Sequence, residues 1–221
     1  RRAAAGPALS APAPAGPDER LPQPFTSWFT ARGWRLRRHQ AEMLELARQG
    51  RDTLLIAPTG GGKTLGGFLP SLVELHAHGS SGRLHTLYVS PLKALATDIA
   101  RNLTRPVEEM GLAVRIETRT GDTPQNRRAR QRTHPPDLLL TTPESLALLL
   151  SYENAAEYFA GLRCVVLDEL HALAESKRGA LFSLAVARLR GLAPQARVVG
   201  LSATVAVPVL LQRYLSPRPE E

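Results

Sequence analysis

Ala57-Pro58-Thr59-Gly60-Gly61-Gly62-Lys63-Thr64 decides the fold. It follows directly on Thr53-Leu54-Leu55-Ile56, a short apolar run that reads as a buried strand. A helical pattern comes next, with Leu65, Phe68, Leu69 and Leu72 apolar. Strand, glycine-rich turn and helix are together what a phosphate-binding loop requires. Small residues let the backbone wrap a phosphate and aim its N–H groups inward, and the new helix adds the positive end of its dipole. Pro58, Thr59, Gly60, Gly61 and Gly62 are expected to form the cradle, with Lys63 able to reach the β- and γ-phosphates and the Thr64 hydroxyl able to ligate Mg²⁺. The usual pattern opens with Gly, where this chain has Ala57.

A second polar box, Asp168-Glu169-Leu170-His171, follows the apolar run Cys164 to Leu167. A carboxylate at a strand end beside a phosphate loop is where Mg²⁺ is held in nucleotide hydrolases. Asp168 is the expected metal residue, and Glu169 the general base that polarises the attacking water. Ser202-Ala203-Thr204 follows another apolar run, Val198 to Leu201, and its two hydroxyls are placed to hydrogen-bond the turn from Asp168 to His171.

Around these boxes the chain alternates strand and helix. Strands are expected at 53–56, 84–89, 114–118, 138–141, 164–167 and 197–201. Helices are expected after the phosphate loop and at 93–109, 124–132, 144–150, 180–189 and 208–214. Pro106 is expected to shorten the helix at 93–109. Two earlier helices carry Phe25, Trp28 and Phe29, then Met43, Leu44 and Ala47, and are closed by Gly33 and Gly50. Alternation of this kind predicts right-handed crossovers and an α/β fold, a mostly parallel sheet with helices on both faces. Ligands on such sheets bind at the carboxyl ends of the strands, where the polar boxes fall.

The 221 residues suffice for one sizeable core, expected over 25–214. Residues 1–24, Ala-rich and with six prolines, read as a disordered leader, and 215–221 as a frayed tail or linker. The net charge of +8, mostly Arg, favours a polyanionic partner. The single cysteine, Cys164, excludes an internal disulfide. No run reaches the ~18 apolar residues of a membrane span.

The phosphate loop, the Asp-Glu-x-His box and Ser-Ala-Thr, in this order and spacing, resemble the first RecA-like domain of a superfamily 2 helicase, a P-loop NTPase fold. Ser90–Leu95, Arg119–Thr123, Thr141–Leu146, Asp168–Leu173 and Ser176–Gly179 make the chain similar to the large-helicase-related (Lhr) family of DEAD/DEAH-type helicases. Phe68–Leu75 and Glu117–Thr123 resemble its bacterial branch, the ligase-associated DNA-damage-response helicases.

The resemblance implies ATP and Mg²⁺ as cofactors and an adenine-reading role for Gln40, with Phe25 or Trp28 to stack on the base. It implies nucleic-acid backbone contacts through Pro91 and Lys93, through Gly121 and Asp122, and through Thr142, Pro143 and Glu144. It implies that His171, Ser202 and Thr204 couple the nucleotide site to the strand. It further implies 3′-to-5′ movement on single-stranded DNA, a role in DNA repair, a cytoplasmic, nucleoid-associated bacterial protein, and DNA ligase and nuclease as partners. The family's second RecA-like domain, its arginine finger and its C-terminal domains lie outside these residues, so the chain alone is expected to be nearly inactive. The Arg127–Arg132 run is either a further strand contact or a solvated helix face. RNA in place of DNA remains open, because the same loops grip either backbone. A non-catalytic binding module and a small phosphotransferase are the readings from other classes; the Asp-Glu-x-His box disfavours the latter.

Overall fold

The computed structural model describes residues 21–58, 60–175, 179–203, 211, 212 and 215. Thr59, Ser176 to Arg178, Thr204 and most of the helix expected at 208–214 lie outside the described residues.

The strands are β1 (Thr53–Ile56), β2 (Thr86–Val89), β3 (Ile116–Arg119), β4 (Leu138–Thr141), β5 (Cys164–Leu167) and β6 (Arg197–Ser202). The described helices are α1 (Gln23–Ala31), α2 (Arg38–Arg48), α3 (Lys63–His78), α4 (Lys93–Glu109), α5 (Gln125–Thr133), α6 (Pro143–Leu150), α7 (Ala155–Phe159), α8 (Leu170–Glu175) and α9 (Gly179–Leu192). The strands form one sheet in the order β1-β6-β5-β2-β4-β3, and each neighbouring pair is parallel.

The continuous apolar runs are explained by two cores, one on each face. Tyr88, Leu138, Leu140, Cys164, Val166, Val199 and Leu201 point into the core lined by α1 to α4. Their neighbours Leu87, Val89, Leu139, Val165, Leu167 and Val198 point into the core under α6, α7 and α9. Side chains alternate along a strand, so a sheet buried on both faces needs apolar residues at every position. In α3, Gly67 lets the helix press onto β6, since a Cβ there would meet Leu201 Cδ1 at 3.0 Å. Pro70 forfeits one bond inside α3, yet the helix continues to His78.

Boundaries differ from expectation where polar groups intervene. Asp137, 1% exposed, accepts from the Ser80 hydroxyl at 2.5 Å and the Arg115 N–H at 2.8 Å. The N–H groups of His85 and Thr86 both turn to the Asp137 carbonyl, so β2 starts at Thr86 rather than Leu84. The Val114 N–H closes a tight turn onto the Leu112 carbonyl, which delays β3 to Ile116. Helix α4 runs through Pro106 to Glu109 and is not shortened. Helices α7 and α8, of five and six residues, were not expected.

The strand order sorts the carboxyl edge into two halves. β1, β6 and β5 are neighbours and bring together the ends that carry the phosphate loop, Ser202 and Asp168. β2, β4 and β3 are neighbours and bring together the ends that lead to Lys93, Thr142 and Gly121.

Candidate active site

The loop after β1 is shaped by its glycines. Gly60 and Gly62 take φ of 78° and 77°, and a Cβ on Gly61 would lie 2.8 Å from the Pro58 carbonyl oxygen. The Gly61 N–H donates to that oxygen, closing the turn. Gly62 precedes α3, so Lys63 and the half-buried Thr64 open the helix, whose first N–H groups and dipole favour an anion.

Lys63 is 8% exposed. Its ammonium lies 3.1 Å from Glu169 Oε1 and 3.8 Å from Asp168 Oδ1. Two residues 106 positions apart in sequence thus meet in an ion pair at the strand ends. Asp168, 2% exposed, continues the β5 ladder through its N–H to the Val89 carbonyl. Its Oδ1 accepts the Glu169 N–H at 2.8 Å, and its Oδ2 accepts the Tyr88 hydroxyl at 2.6 Å. Burial first, and then the charge of Asp168, push the Tyr88 phenol far above its ordinary value, so it is a donor at any working pH. Glu169 has φ of 48°, the one positive φ outside glycine among the described residues. Such a conformation costs roughly 1–3 kcal/mol and clusters at functional sites. It lets consecutive carboxylates share the Lys63 ammonium.

Ser202 and His171 join the same group. His171 Nδ1 is 2.8 Å from the Ser202 hydroxyl, and Nε2 is 3.6 Å from Glu169 Oε2. The Ser202 carbonyl accepts the Ala57 N–H, tying β6 to the start of the phosphate loop. Gln40 is 3% exposed and touches the loop as well: its Nε2 donates to the Gly62 carbonyl at 3.3 Å and its Oε1 accepts the Arg37 N–H at 3.0 Å. Thr59 and Thr204 lie outside the described residues.

Phe25 is fully buried and Trp28 nearly so, in the core beside α3, so neither offers a face to a base. The exposed aromatic nearby is Trp34, at 54%, in the segment that leads to α2 and Gln40. The sequence reading gave it no role, and its ring packs edge-on against Trp28 at 5.5 Å. Sequence reasoning also missed Tyr88, 80 residues from its partner Asp168 and hidden inside an apolar run.

The other half of the carboxyl edge is more open. Lys93 opens α4, and its ammonium is 2.9 Å from Asp122 Oδ1, both side chains being exposed. A Cβ on Gly121 would lie 3.1 Å from Lys93 Nζ, so the two loops pack close enough that a larger residue there would push the lysine tip aside. Pro91 is half-buried beside them. The third loop departs from expectation. Thr142 is 3% exposed and its hydroxyl caps α6, accepting the Ser145 N–H at 3.5 Å. Pro143 is buried too, so side-chain contacts from these two are not available to a strand, and Glu144 is the exposed residue there.

The Arg127–Arg132 run is no free comb of charges. Arg127 and Arg130 bond Glu117 at 3.2 and 2.8 Å. Arg128 donates to the carbonyls of Thr120 and Gly121 at 3.1 and 2.5 Å. The Arg132 guanidinium sits 4.2 Å from the Tyr152 ring centre. Burial raises the Glu117 carboxyl, but the bonds from Gln131, Arg127 and Arg130 outweigh it and hold the group below its ordinary value. Arg128 braces the loop at 120–122, while Arg127 and Arg130 tie α5 to β3 through Glu117.

The DEAD/DEAH box helicase family profile matches residues 37–211. The chain is 44% identical over 202 residues to the Lhr helicase/probable uracil glycosylase of Mycolicibacterium smegmatis, covering 86% of this chain and 13% of that protein. It is 38% identical over 201 residues to the ATP-dependent helicase Lhr-Core protein 2 of Thermococcus barophilus, covering 85% and 23%. It superposes on the structure of the Mycobacterium smegmatis helicase Lhr bound to ssDNA and AMP-PNP with a TM-score of 0.83 at 40% identity, over 91% of this chain and 27% of that one. On the DUF1998 helicase MrfA bound to DNA and AMPPNP the TM-score is 0.81 at 26% identity, over 96% and 29%. The chain therefore spans less than a quarter of the two curated relatives.

Proposed function

This chain belongs to the DEAD/DEAH box helicase family, and we propose that its residues 25–214 are the ATP-binding, first RecA-like domain of an Lhr-type helicase that moves on single-stranded DNA. The observation that carries the reading is the buried Lys63 ammonium held between Asp168 and Glu169 at the mouth of a glycine loop and helix N-terminus.

The site fits a nucleotide and its metal by its donor set. Lys63 and the first amides of α3 suit phosphate oxygens, and Thr64 and Asp168 offer the one or two protein oxygens that Mg²⁺ takes alongside phosphates and water. When bound, Mg²⁺ neutralises charge on the β- and γ-phosphates. Lys63 exchanges its carboxylate partners for phosphate. That frees Glu169 to orient water and accept its proton. Gln40 gives up its bond to Gly62 to read adenine, and Trp34 stacks on the base. His171, through its contacts to Ser202 and Glu169, links this event to β6, with Thr204 continuing the link. Lys93, with Pro91, takes strand phosphates; the Gly121–Asp122 loop and the start of α6, where Thr142 and Glu144 carry backbone N–H groups and Pro143 sets the first helical turn, complete the track.

The DNA substrate is supported by the two relatives above that hold ssDNA or DNA. Movement 3′ to 5′, a repair role, the ligase-associated branch with its ligase and nuclease partners, and a cytoplasmic, nucleoid-associated setting complete the proposal. No described helix is long and apolar enough to cross a membrane.

In related systems an arginine finger contributes ~10³–10⁵-fold. Here it is proposed to come from a second RecA-like domain beyond these residues. Phosphate release should therefore be near background for the 221-residue chain and strand-stimulated in the longer protein, more by DNA than by RNA. Full strand-stimulated turnover by the chain alone, or stimulation by RNA only, would count against this reading.

A further inference from the structure

We propose that Tyr88 is the positioning residue for Asp168, fixing which carboxylate oxygen is presented to the metal. The proposal rests on the nucleotide-site reading and adds a residue to it. Tyr88 lies on β2, next to β5 in the sheet, and is fully buried. Its hydroxyl donates to Asp168 Oδ2 at 2.6 Å. The other oxygen, Oδ1, takes the Glu169 N–H at 2.8 Å and faces Lys63 at 3.8 Å. The two oxygens are thus divided: one is turned into the core, the other toward the phosphate loop.

A free carboxylate turns easily about its last torsion, which has only broad minima. The phenol removes that freedom. A Phe on β2 would fill the same space without bringing a hydroxyl into the core, where an unbonded polar group is costly. The ring is itself fixed by stacking on Phe68 at 5.3 Å and 28° between planes. Phe68 is in α3, the helix that Lys63 begins. Tyr88 therefore gauges the position of the phosphate-loop helix on one side and of the metal carboxylate on the other.

The test is a Mg²⁺ titration of nucleotide binding by the intact protein, read with a fluorescent ATP analogue. It compares the natural sequence, Tyr88→Phe, Asp168→Asn and the double variant. Tyr88→Phe should raise the Mg²⁺ midpoint about tenfold, leave binding in EDTA unchanged, and add nothing in the Asp168→Asn background. An unmoved midpoint, a parallel loss of binding in EDTA, or a full further loss on top of Asp168→Asn overturns the proposal. If Tyr88→Phe melts below the assay temperature, Phe68→Leu keeps the phenol and removes its support. It should shift the midpoint in the same direction by less, and no shift overturns the proposal. Absence of Mg²⁺-dependent binding by the natural sequence would sink the nucleotide-site reading and this proposal with it. Mg²⁺-dependent binding that ignores Tyr88 would sink the proposal alone.

Discussion

Two lysine–carboxylate pairs sit on the carboxyl edge of the sheet at nearly the same distance, Lys63–Glu169 at 3.1 Å and Lys93–Asp122 at 2.9 Å. Their surroundings differ. The Lys63 and Glu169 side chains are 9% and 28% exposed, those of Lys93 and Asp122 55% and 78%. An exposed pair contributes about 0–1 kcal/mol. Breaking a buried pair by removing one partner costs about 3–5 kcal/mol, because a charge is left without compensation. Equal geometry therefore serves opposite ends. The β1-β6-β5 half holds its charges rigidly, ready for a ligand that must be seated accurately. The β2-β4-β3 half holds Lys93 in an exposed pair with Asp122, which is the looser grip that the proposed strand contact calls for.

The largest expected break in that comparison is Glu169→Gln in the intact protein. Strand-stimulated phosphate release should fall by ~10²–10⁴, while nucleotide binding and strand binding stay near normal. Turnover within a few-fold of the natural sequence would remove Glu169 from the chemistry.

The strand half should respond differently. Arg128→Ala removes the donor to the Thr120 and Gly121 carbonyls. Single-stranded DNA affinity should drop by about tenfold with ATP-analogue binding untouched. Lys93→Ala should weaken binding less, by about threefold at moderate salt, and lower the salt slope by about one. If Lys93→Ala leaves the slope unchanged, that lysine meets no phosphate.

How far these contrasts are legible in the sequence follows from how local they are. The strand runs, the phosphate loop and Asp168-Glu169 are contiguous, so spacing and residue type disclose them. Tyr88–Asp168 is not, because an apolar run conceals a tyrosine whose hydroxyl finds its partner only through strand order. The left-handed turn at Glu169 leaves no mark in a residue that is not glycine. The arginine run stays open in sequence between a strand contact and a solvated face, because Glu117, which bonds two of its members, lies ten or more residues away. Thr142 reads as a strand contact, but a helix start behind it takes the hydroxyl. Helices α7 and α8 are too short for a hydrophobic period to emerge.

The smallest effect concerns pH. Glu117 in the strand half and Glu74, under the sheet between His85 and Arg197, both have carboxyls held below their ordinary value of 4.5. For Glu74, as for Glu117, burial opposes the charge, and the bonds from His85 and Arg197 outweigh it. A lowered value means that the charged form favours the fold. The contribution is complete above the unfolded value and is lost as pH falls through the folded one. Denaturant melts of Glu117→Gln should show a deficit of about 1 kcal/mol at neutral pH that shrinks below pH ~4.5. A deficit that persists unchanged in acid would contradict the ion-pair account of the β3 edge.

The central claim is that the buried Lys63 ammonium is the phosphate anchor. The most direct test is the affinity of Lys63→Ala, in the intact protein with Mg²⁺, for a non-hydrolysable ATP analogue. A loss of about 100-fold or more, with single-stranded DNA affinity retained, is the expected result. Analogue binding equal to that of the natural sequence would contradict the account.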